Sequence, residues 1–292
     1  MDRIITKDHA RSASPSGSSS STNTLTVATG ATITVADREK RFRFRHEGRQ
    51  ENVRMRASVQ ESIDKFIEYF MGQLNEINAI SGPNEQARML FQKILFAILL
   101  DTLSIAAEPA LSRDNRKRFI AFISSCAGWE DKDRVSSTQL MLELERQGIV
   151  HGPVYAFVSA RVQAWIPSGI LRPKDDPTMD EIVALNGLKA ETIAAMDSRY
   201  DLLLYTYRNS LLHEFRAPGY GFDFPEEENP FYQNMSHLSG QEGREFSWQL
   251  SFPISFLRRL CFSSIWGLWV LLTKEGRDPY PAYQFGSRWK AR

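Results

Sequence analysis

Apolar side chains recur at helical spacing through most of the chain after residue 57. The first such segment, residues 58–80, places Ile63, Phe66, Phe70 and Leu74 on one face, and a capping box of Ser58 with Glu61 predicts that the helix begins there. Further helices are predicted at residues 85–108, 114–127, 136–148, 153–165, 178–186, 189–216 and 253–274. No Gly-rich phosphate loop, internal repeat or parallel-sheet pattern interrupts them, so the fold class is mostly α, a helical domain over residues 58–280.

The β content is expected to be small and to lie at two places. Residues 24–57 predict a basic β-hairpin extension, because apolar and polar residues alternate on both sides of Thr29-Gly30 and again through "KRFRFRH" at residues 40–46. A short strand is expected in "EFSWQLSFP", residues 245–253, after an aromatic loop. The Ser-rich residues 1–23 are predicted to be disordered, and residues 281–292 are assigned to a C-terminal tail.

Composition excludes several functional classes. The net charge is +1, and the two cysteines, Cys126 and Cys261, form neither a disulfide framework nor a metal-ligand set. The histidines are scattered without ligand spacing, so we expect no metal and no cofactor. The most apolar run, "LCFSSIWGLWVLL" at residues 260–272, is shorter than the roughly 20 residues a membrane span needs, which predicts a buried helix and no membrane association. The chain has no signal-peptide pattern, and we expect a cytoplasmic protein.

Three polar residues stand out in the helix predicted around "YTYRNSLLHEFR", residues 205–216. At 100° per residue, Arg208 lies at the border of the apolar stripe, whereas Asn209 and His213 lie one turn apart on another side. A histidine can transfer a proton near neutral pH, and a guanidinium can bind two phosphate oxygens. The alternative is structural, with Arg208 bridging to a carboxylate such as Asp201 or Glu214 and His213 favouring the helix C-terminus.

The segment "RNSLLH" resembles the signature of the HEPN superfamily, in which an Arg, usually followed by a polar residue, precedes a His by four to six positions late on a helix of an α-helical bundle. The resemblance implies a HEPN-like bundle and a metal-independent endoribonuclease that leaves 2′,3′-cyclic phosphate ends. By the same resemblance Arg208 and His213 are catalytic and Asn209 is supporting, with Tyr205, Glu214 and Arg216 as further substrate-binding candidates.

The family resemblance also implies RNA as substrate, a homodimer with facing motifs, and a role in bacterial defence or a toxin–antitoxin system, with an antitoxin or regulatory protein as a possible partner. The alternative function is a non-catalytic HEPN-like module that binds RNA, a nucleotide or a protein. The β-hairpin before residue 57 has no counterpart in the minimal form of the family.

Two other segments suggest nucleic-acid contact. Residues 37–56 carry eight Lys or Arg and four acids, so Arg41, Arg43 and Arg45 are candidates to guide an RNA backbone, with a solvated strand face as the alternative. Residues 179–196 have the outline of a helix-turn-helix. Its second helix offers Lys189, Glu191 and Thr192 but no Arg, Asn or Gln to read base edges.

Overall fold

The computed structural model describes residues 35–165, 171–219, 223–224, 226–238 and 244–283. The chain divides into two units, residues 1–50 and 51–292, and the described part of the first unit is the beginning of one helix. The structure contains helices α1 (Val35–Ala79), α2 (Glu85–Ala107), α3 (Asn115–Cys126), α4 (Ser137–Arg146), α5 (Pro153–Gln163), α6 (Met179–Ala184), α7 (Lys189–Asp197), α8 (Tyr200–Glu214) and α9 (Ile254–Glu275), and strands β1 (Phe231–Leu238) and β2 (Arg244–Ser251). The protein is therefore mostly helical, with a small antiparallel sheet.

Side-chain caps fix where several helices begin. Asn84 accepts a hydrogen bond from the Ala87 amide at 2.9 Å at the start of α2, and Asp114 accepts one from the Lys117 amide at 3.0 Å at the start of α3. Thr178 starts α6, in the capping box that its sequence predicts. These caps satisfy amide groups that have no partner inside the helix, which explains why the predicted and observed starts agree closely.

Two separate apolar cores lie within residues 51–292. The larger one is built from α1, α2, α3, α8 and α9, where side chains such as Phe66, Phe96, Phe122 and Leu268 are almost completely buried. The smaller one is formed by α4, α5, α6 and α7 and the residues around them, including Leu140 and Val158. The polar candidate residues of α8 belong to a helix of the larger core.

The two strands pair antiparallel from Phe231 opposite Ser251 to Leu238 opposite Arg244. β2 was predicted, but residues 219–234 were expected to form an aromatic loop, and for residues 231–234 this was wrong. Phe231, Tyr232 and Gln233 are all buried at the start of β1, so both faces are covered and the alternation that marks a strand is missing.

The N-terminal part of the helical region differs from the prediction. Residues 40–46, expected as a strand, lie within α1, and Ser58 is an interior residue of that helix rather than its first cap. An Arg/Phe alternation over seven residues is too short to exclude a helix, and α1 continues without interruption from Val35 through these residues to Ala79. The predicted tail 1–23, the first part of the hairpin, residues 24–34, and residues 284–292 lie outside the described residues.

One predicted helix is divided. Residues 189–216 were expected to form one helix, or a short helix joined to a long one, and the structure has α7 and α8 separated by Ser198 and Arg199. The Ser198 amide still bonds back to the Ala194 carbonyl at 3.0 Å, while Arg199 is extended at the start of α8. This break sets the direction of α8 independently of α7.

Candidate functional site

Helix α8 turns one face towards α2 and α3. Tyr200, Leu204, Tyr207, Arg208 and Leu211 are buried on that face. The helix ends at Phe215, whose left-handed backbone (φ 54°) stops the hydrogen-bond ladder. The exposed side and the last turn of α8 carry the remaining polar candidates.

Arg208 is buried, with 8% of the residue exposed. Its Nη2 lies 2.8 Å from Oδ2 of Asp101 on α2, and the other oxygen of that carboxylate lies 3.6 Å from Nη2 of Arg118 on α3. Asp101 is therefore held between two guanidinium groups from two different helices. Asp101 was not predicted as the partner of Arg208. Neither carboxylate expected from the sequence is that partner, since Asp201 pairs with Arg199 and Glu214 with Arg216.

Two other candidates lie beside Arg208. Its Nη1 donates a hydrogen bond to Oδ1 of Asn209 at 2.7 Å, and its guanidinium carbon lies 5.7 Å from the centre of the Tyr205 ring. The structure thus brings Arg208, Asn209 and Tyr205 together at the edge of the core. The contact with the ring is of the cation–π type, which favours a guanidinium held in a fixed position.

His213 is exposed in the last turn of α8, five residues after Arg208. Five residues correspond to a rotation of about 140° around the helix axis, so the two side chains start from different sides of α8. Glu214 and Arg216 are also exposed and form an ion pair at 2.6 Å. Within one chain, Arg208 points into an internal ion pair and His213 is exposed, so the two side chains lie in different environments.

Arg41, Arg43 and Arg45 lie in the part of α1 whose side chains are outside the described residues. Their backbone is helical. Their predicted role in guiding RNA stays a prediction.

A second polar cluster, which the sequence analysis did not identify, lies behind α8. The ammonium of Lys93 on α2 lies 2.8 Å from Oδ2 of Asp223 and donates to the hydroxyl oxygen of Tyr207 at 3.0 Å. Only 6% of the Lys93 side chain and 10% of the Asp223 side chain are exposed. Burial works against the charged lysine, but the charges and hydrogen bonds of Tyr207 and Asp223 prevail and raise the Lys93 pKa above its usual value.

The sequence of α2 contains an indication of both polar clusters, the one around Asp101 and the one around Lys93. Lys93 and Asp101 are the charged residues within the apolar run "FQKILFAILLDTLS", residues 91–104. A charge in the buried part of an apolar helix requires a partner of opposite charge, which is Asp223 for Lys93 and Arg208 for Asp101. What the sequence does not give is the identity of those partners.

A cavity of about 320 Å³ lies beside the Lys93 cluster. Lys93, Tyr207 and Asp223 line it together with the apolar residues Leu90 and Pro218. Ala217 and Pro218, which line the cavity, come three and four residues after the last residue of α8, at the end of the helix that carries His213. This end of α8 therefore combines an exposed polar surface with a partly apolar cavity.

The described residues also bear on metal binding and on membrane association. Within the described ranges, no group of three or more His, Cys, Asp or Glu side chains is arranged to hold a metal ion. Helices α2 and α9 are long and apolar enough to cross a membrane, and 56% and 44% of their most apolar windows are buried inside the protein. A core helix of a soluble protein meets the same criterion, so these helices do not decide between the two environments.

No protein-family model matches the chain, and no curated protein and no solved structure matches it. The HEPN resemblance therefore rests on the α8 motif and on the mostly helical fold class.

Proposed function

We propose that this chain is a HEPN-like module that binds RNA through the exposed C-terminal end of α8 without cutting it. The proposed contact surface comprises Asn209, His213 and Arg216. A histidine, an amide and a guanidinium are side chains that contact phosphate and sugar oxygens in nucleic-acid complexes. By composition, the basic segment 37–56 is a further candidate for contact with an RNA backbone.

The observation that favours binding over cleavage is the ion pair between Arg208 and Asp101. An endoribonuclease of this type needs a guanidinium that can stabilise the negative charge which develops on the phosphate. The Arg208 guanidinium is neutralised by a carboxylate 2.8 Å away, and only 9% of its side chain is exposed. Freeing it would leave the Asp101 carboxylate with the more distant Arg118 alone.

The metal-independent endoribonuclease is the second candidate, and the motif itself favours it. Arg208, Asn209 and His213 have the spacing of the family signature, and Asn209 already contacts Arg208. In this alternative a second copy of the chain would bring another motif to the same cleft, and Arg208 would have to leave Asp101. A role in defence or as a regulated toxin, in the cytoplasm and with a restraining partner protein, belongs to this candidate.

The test is incubation of single-stranded RNA and the matching DNA with the full chain in excess EDTA, with binding and cleavage measured separately. We expect RNA binding without cleavage, and an affinity at least about five-fold lower for the double variant His213→Ala/Arg216→Ala. Arg146→Ala is the matched control, because Arg146 is also an exposed arginine in an ion pair with a nearby glutamate, on α4. Loss of affinity that is equal in the control would contradict binding at α8.

The same assay distinguishes the second candidate. Cleavage of RNA but not DNA, abolished by Arg208→Ala and by His213→Ala while both variants stay folded, would establish the endoribonuclease instead. Asp101→Asn then adds information, since an increased cleavage rate in that variant means that the carboxylate restrains Arg208. Absence of RNA binding in every condition overturns both candidates.

A further inference from the structure

The cavity beside Lys93 has a polar end and apolar walls. Lys93 from α2, Tyr207 from α8 and Asp223 from the following loop form the polar end. Met89, Leu90, Pro218 and Leu250 contribute apolar walls, and Gln86 and Ser251 add two uncharged polar groups. An apolar cavity with a few convergent polar groups is the usual form of a small-ligand site.

Lys93 has unused hydrogen-bonding capacity. An ammonium group carries three N–H bonds, and in the described part of the chain two acceptors contact it, Asp223 and Tyr207. Tyr207 in turn donates to the Phe252 carbonyl oxygen at 3.5 Å, so its own hydroxyl hydrogen is already directed elsewhere. An acceptor on a ligand would satisfy the third N–H of this buried ammonium.

The charges limit what that ligand can be. The carboxylate of Asp223 neutralises Lys93, and no second cation lines the cavity among the described residues. A phosphate or carboxylate entering the cavity would therefore meet the negative Asp223 group 2.8 Å from the Lys93 ammonium. An uncharged group that offers an acceptor to Lys93 and a donor to the Asp223 carboxylate fits the polar end better.

The size of the cavity limits the ligand further. A volume of 320 Å³ corresponds to about ten water molecules in the liquid, at roughly 30 Å³ each. Apolar walls such as Leu90 and Leu250 suit the faces of a flat ring, and the polar end suits an edge that carries donors and acceptors. A pyrimidine or purine base has that size, shape and edge chemistry.

We propose that this cavity binds a nucleobase. A free nucleoside and an RNA strand present the same base ring, and separate experiments distinguish these two sources of the ligand. The RNA arm rests on the proposed function, since Ala217 and Pro218 place the cavity within five residues of His213, where a bound strand would pass.

The first experiment titrates the full chain with uridine, guanosine, adenosine and cytidine, followed by ligand-observed NMR and calorimetry. Ribose 5-phosphate is the probe without a base. We expect measurable binding of at least one nucleoside and none of ribose 5-phosphate. Binding of ribose 5-phosphate at the same affinity as the nucleosides, or of none of these probes, would overturn base binding by a free nucleoside.

Two variants close the cavity without removing the buried ion pair. Ala217→Phe fills it from the loop after α8, and Gln86→Trp covers it from an exposed position on α2, where folding is not at risk. Both are expected to weaken nucleoside binding at least ten-fold. Ala110→Phe, in an exposed turn outside the cavity, is the control and should leave the affinity unchanged. Unchanged nucleoside affinity in both single variants, Gln86→Trp and Ala217→Phe, would contradict the assignment of this cavity as the base site.

The RNA arm compares an oligouridine with an oligonucleotide of equal length that lacks its bases. If the cavity takes a base from RNA, the abasic strand should bind the wild type at least about ten-fold more weakly than the oligouridine. Both strands should then bind the Ala217→Phe variant with equal affinity. If both strands bind the wild type equally and no nucleoside binds, the base site is overturned while RNA binding at α8 stands. If nucleosides bind and RNA does not, the base site stands and the proposed function fails.

Discussion

Single charged residues in α2 determine how α8 is held. Asp101 binds Arg208, and eight residues earlier Lys93 binds Tyr207, so two successive residues of α8 are each tied to a charged group of the same helix. Desolvating a charge costs several kcal/mol, and a close partner is what offsets that cost. The polar character of α8 on this side therefore has a structural explanation before any functional one.

Replacing Arg208 tests this explanation at the residue scale. Arg208→Met leaves the Asp101 carboxylate with Arg118 at 3.6 Å, and we expect a loss of about 2–4 kcal/mol in the free energy of unfolding. His213→Ala should change that free energy by less than about 0.5 kcal/mol, because His213 is exposed. Urea denaturation followed by circular dichroism measures both.

The double variant Arg208→Met/Asp101→Leu completes a thermodynamic cycle. It should lose less stability than the two single variants added together, because the carboxylate that Arg208→Met leaves behind is no longer present. Additive losses would mean that the two side chains do not stabilise each other.

The sequence predicted part of this arrangement. A helical wheel places Arg208 at the border of the core, which agrees with its burial, and separates it from His213. It does not reveal that the guanidinium turns towards α2, because Asp101 and Arg208 are far apart in sequence and only tertiary packing brings them together. The family motif drew attention to Arg208 and His213 as a pair, whereas the structure pairs Arg208 with a residue outside the motif.

At the scale of elements, helices with strong caps were predicted well. The boundaries of α2, α3 and α6 follow Asn84, Asp114 and Thr178, which act through local hydrogen bonds that the sequence displays. The start of α1 and the presence of β1 were not predicted. β1 lacks a clean alternation, and it depends on its pairing with β2 and on the bridge between Tyr232 and Leu171, which are distant in sequence.

The packing of α9 against α3 depends on one glycine. A Cβ atom at Gly267 would lie 2.1 Å from the backbone oxygen of Cys126, and a backbone atom cannot move aside as a flexible side chain can. Gly267→Ala should therefore destabilise the protein by about 1–3 kcal/mol. Gly72→Ala, in α1, has nothing within 4 Å of the added Cβ and should stabilise by about 0.5–1 kcal/mol.

Thermal and urea unfolding of the two glycine variants provide the measurement. The same replacement of glycine by alanine should lower the free energy of unfolding at the helix contact of Gly267 and raise it on the open helix face of Gly72. Equal effects at both positions would show that the close approach of α3 and α9 is not maintained in solution.

Glu191 joins α7 to α5 in the smaller core and is completely buried. Its carboxylate accepts hydrogen bonds from the amides of Leu188 at 2.7 Å, Val154 at 3.2 Å and Tyr155 at 3.3 Å. This burial removes it from the surface that a helix-turn-helix would offer to DNA, which weakens that alternative further. The residue instead caps the first turns of two helices.

Glu191→Ala should cost about 2–4 kcal/mol in stability, since three backbone amides lose their acceptor. Glu181→Ala is the matched control, because Glu181 accepts a hydrogen bond from the Thr178 amide at the exposed start of α6. Its replacement should lower the free energy of unfolding by about 1 kcal/mol. Hydrogen exchange of the Val154 and Tyr155 amides locates the effect. Unchanged protection of these amides in Glu191→Ala would contradict the capping role.

At the scale of the whole molecule, a polar network connects the two cores within residues 51–292. Asp176 accepts hydrogen bonds from Tyr200 of α8 at 2.7 Å, from Tyr232 of β1 at 2.6 Å and from the Ser137 amide of α4 at 2.9 Å. The two tyrosines belong to the larger core, and α4 carries side chains of the smaller one. A single carboxylate thus meets elements of both cores.

This network predicts a pH dependence of stability. Burial raises the pKa of Asp176 above its usual value and outweighs the hydrogen bonds from Tyr232, Ser137 and Tyr200, which act in the opposite direction. A carboxyl group with a raised pKa in the folded state contributes most to stability below its unfolded pKa, which is about 3.9, and this contribution is lost as the pH rises through the folded value. Relative to the unfolded chain, folding therefore favours the protonated form of Asp176.

The variant Asp176→Asn isolates this contribution, because its side chain does not titrate while all other groups do. The variant should be less stable than the wild type by about 1–3 kcal/mol at every pH, because its hydrogen bonds are imperfect. The difference in the free energy of unfolding, wild type minus variant, should then increase further as the pH is lowered from 7 to 4. Urea denaturation at each pH gives this difference. A difference that decreases towards acid would mean that the two tyrosines and the Ser137 amide stabilise the ionised carboxylate more than burial penalises it, and that the junction between the cores is held by a charge.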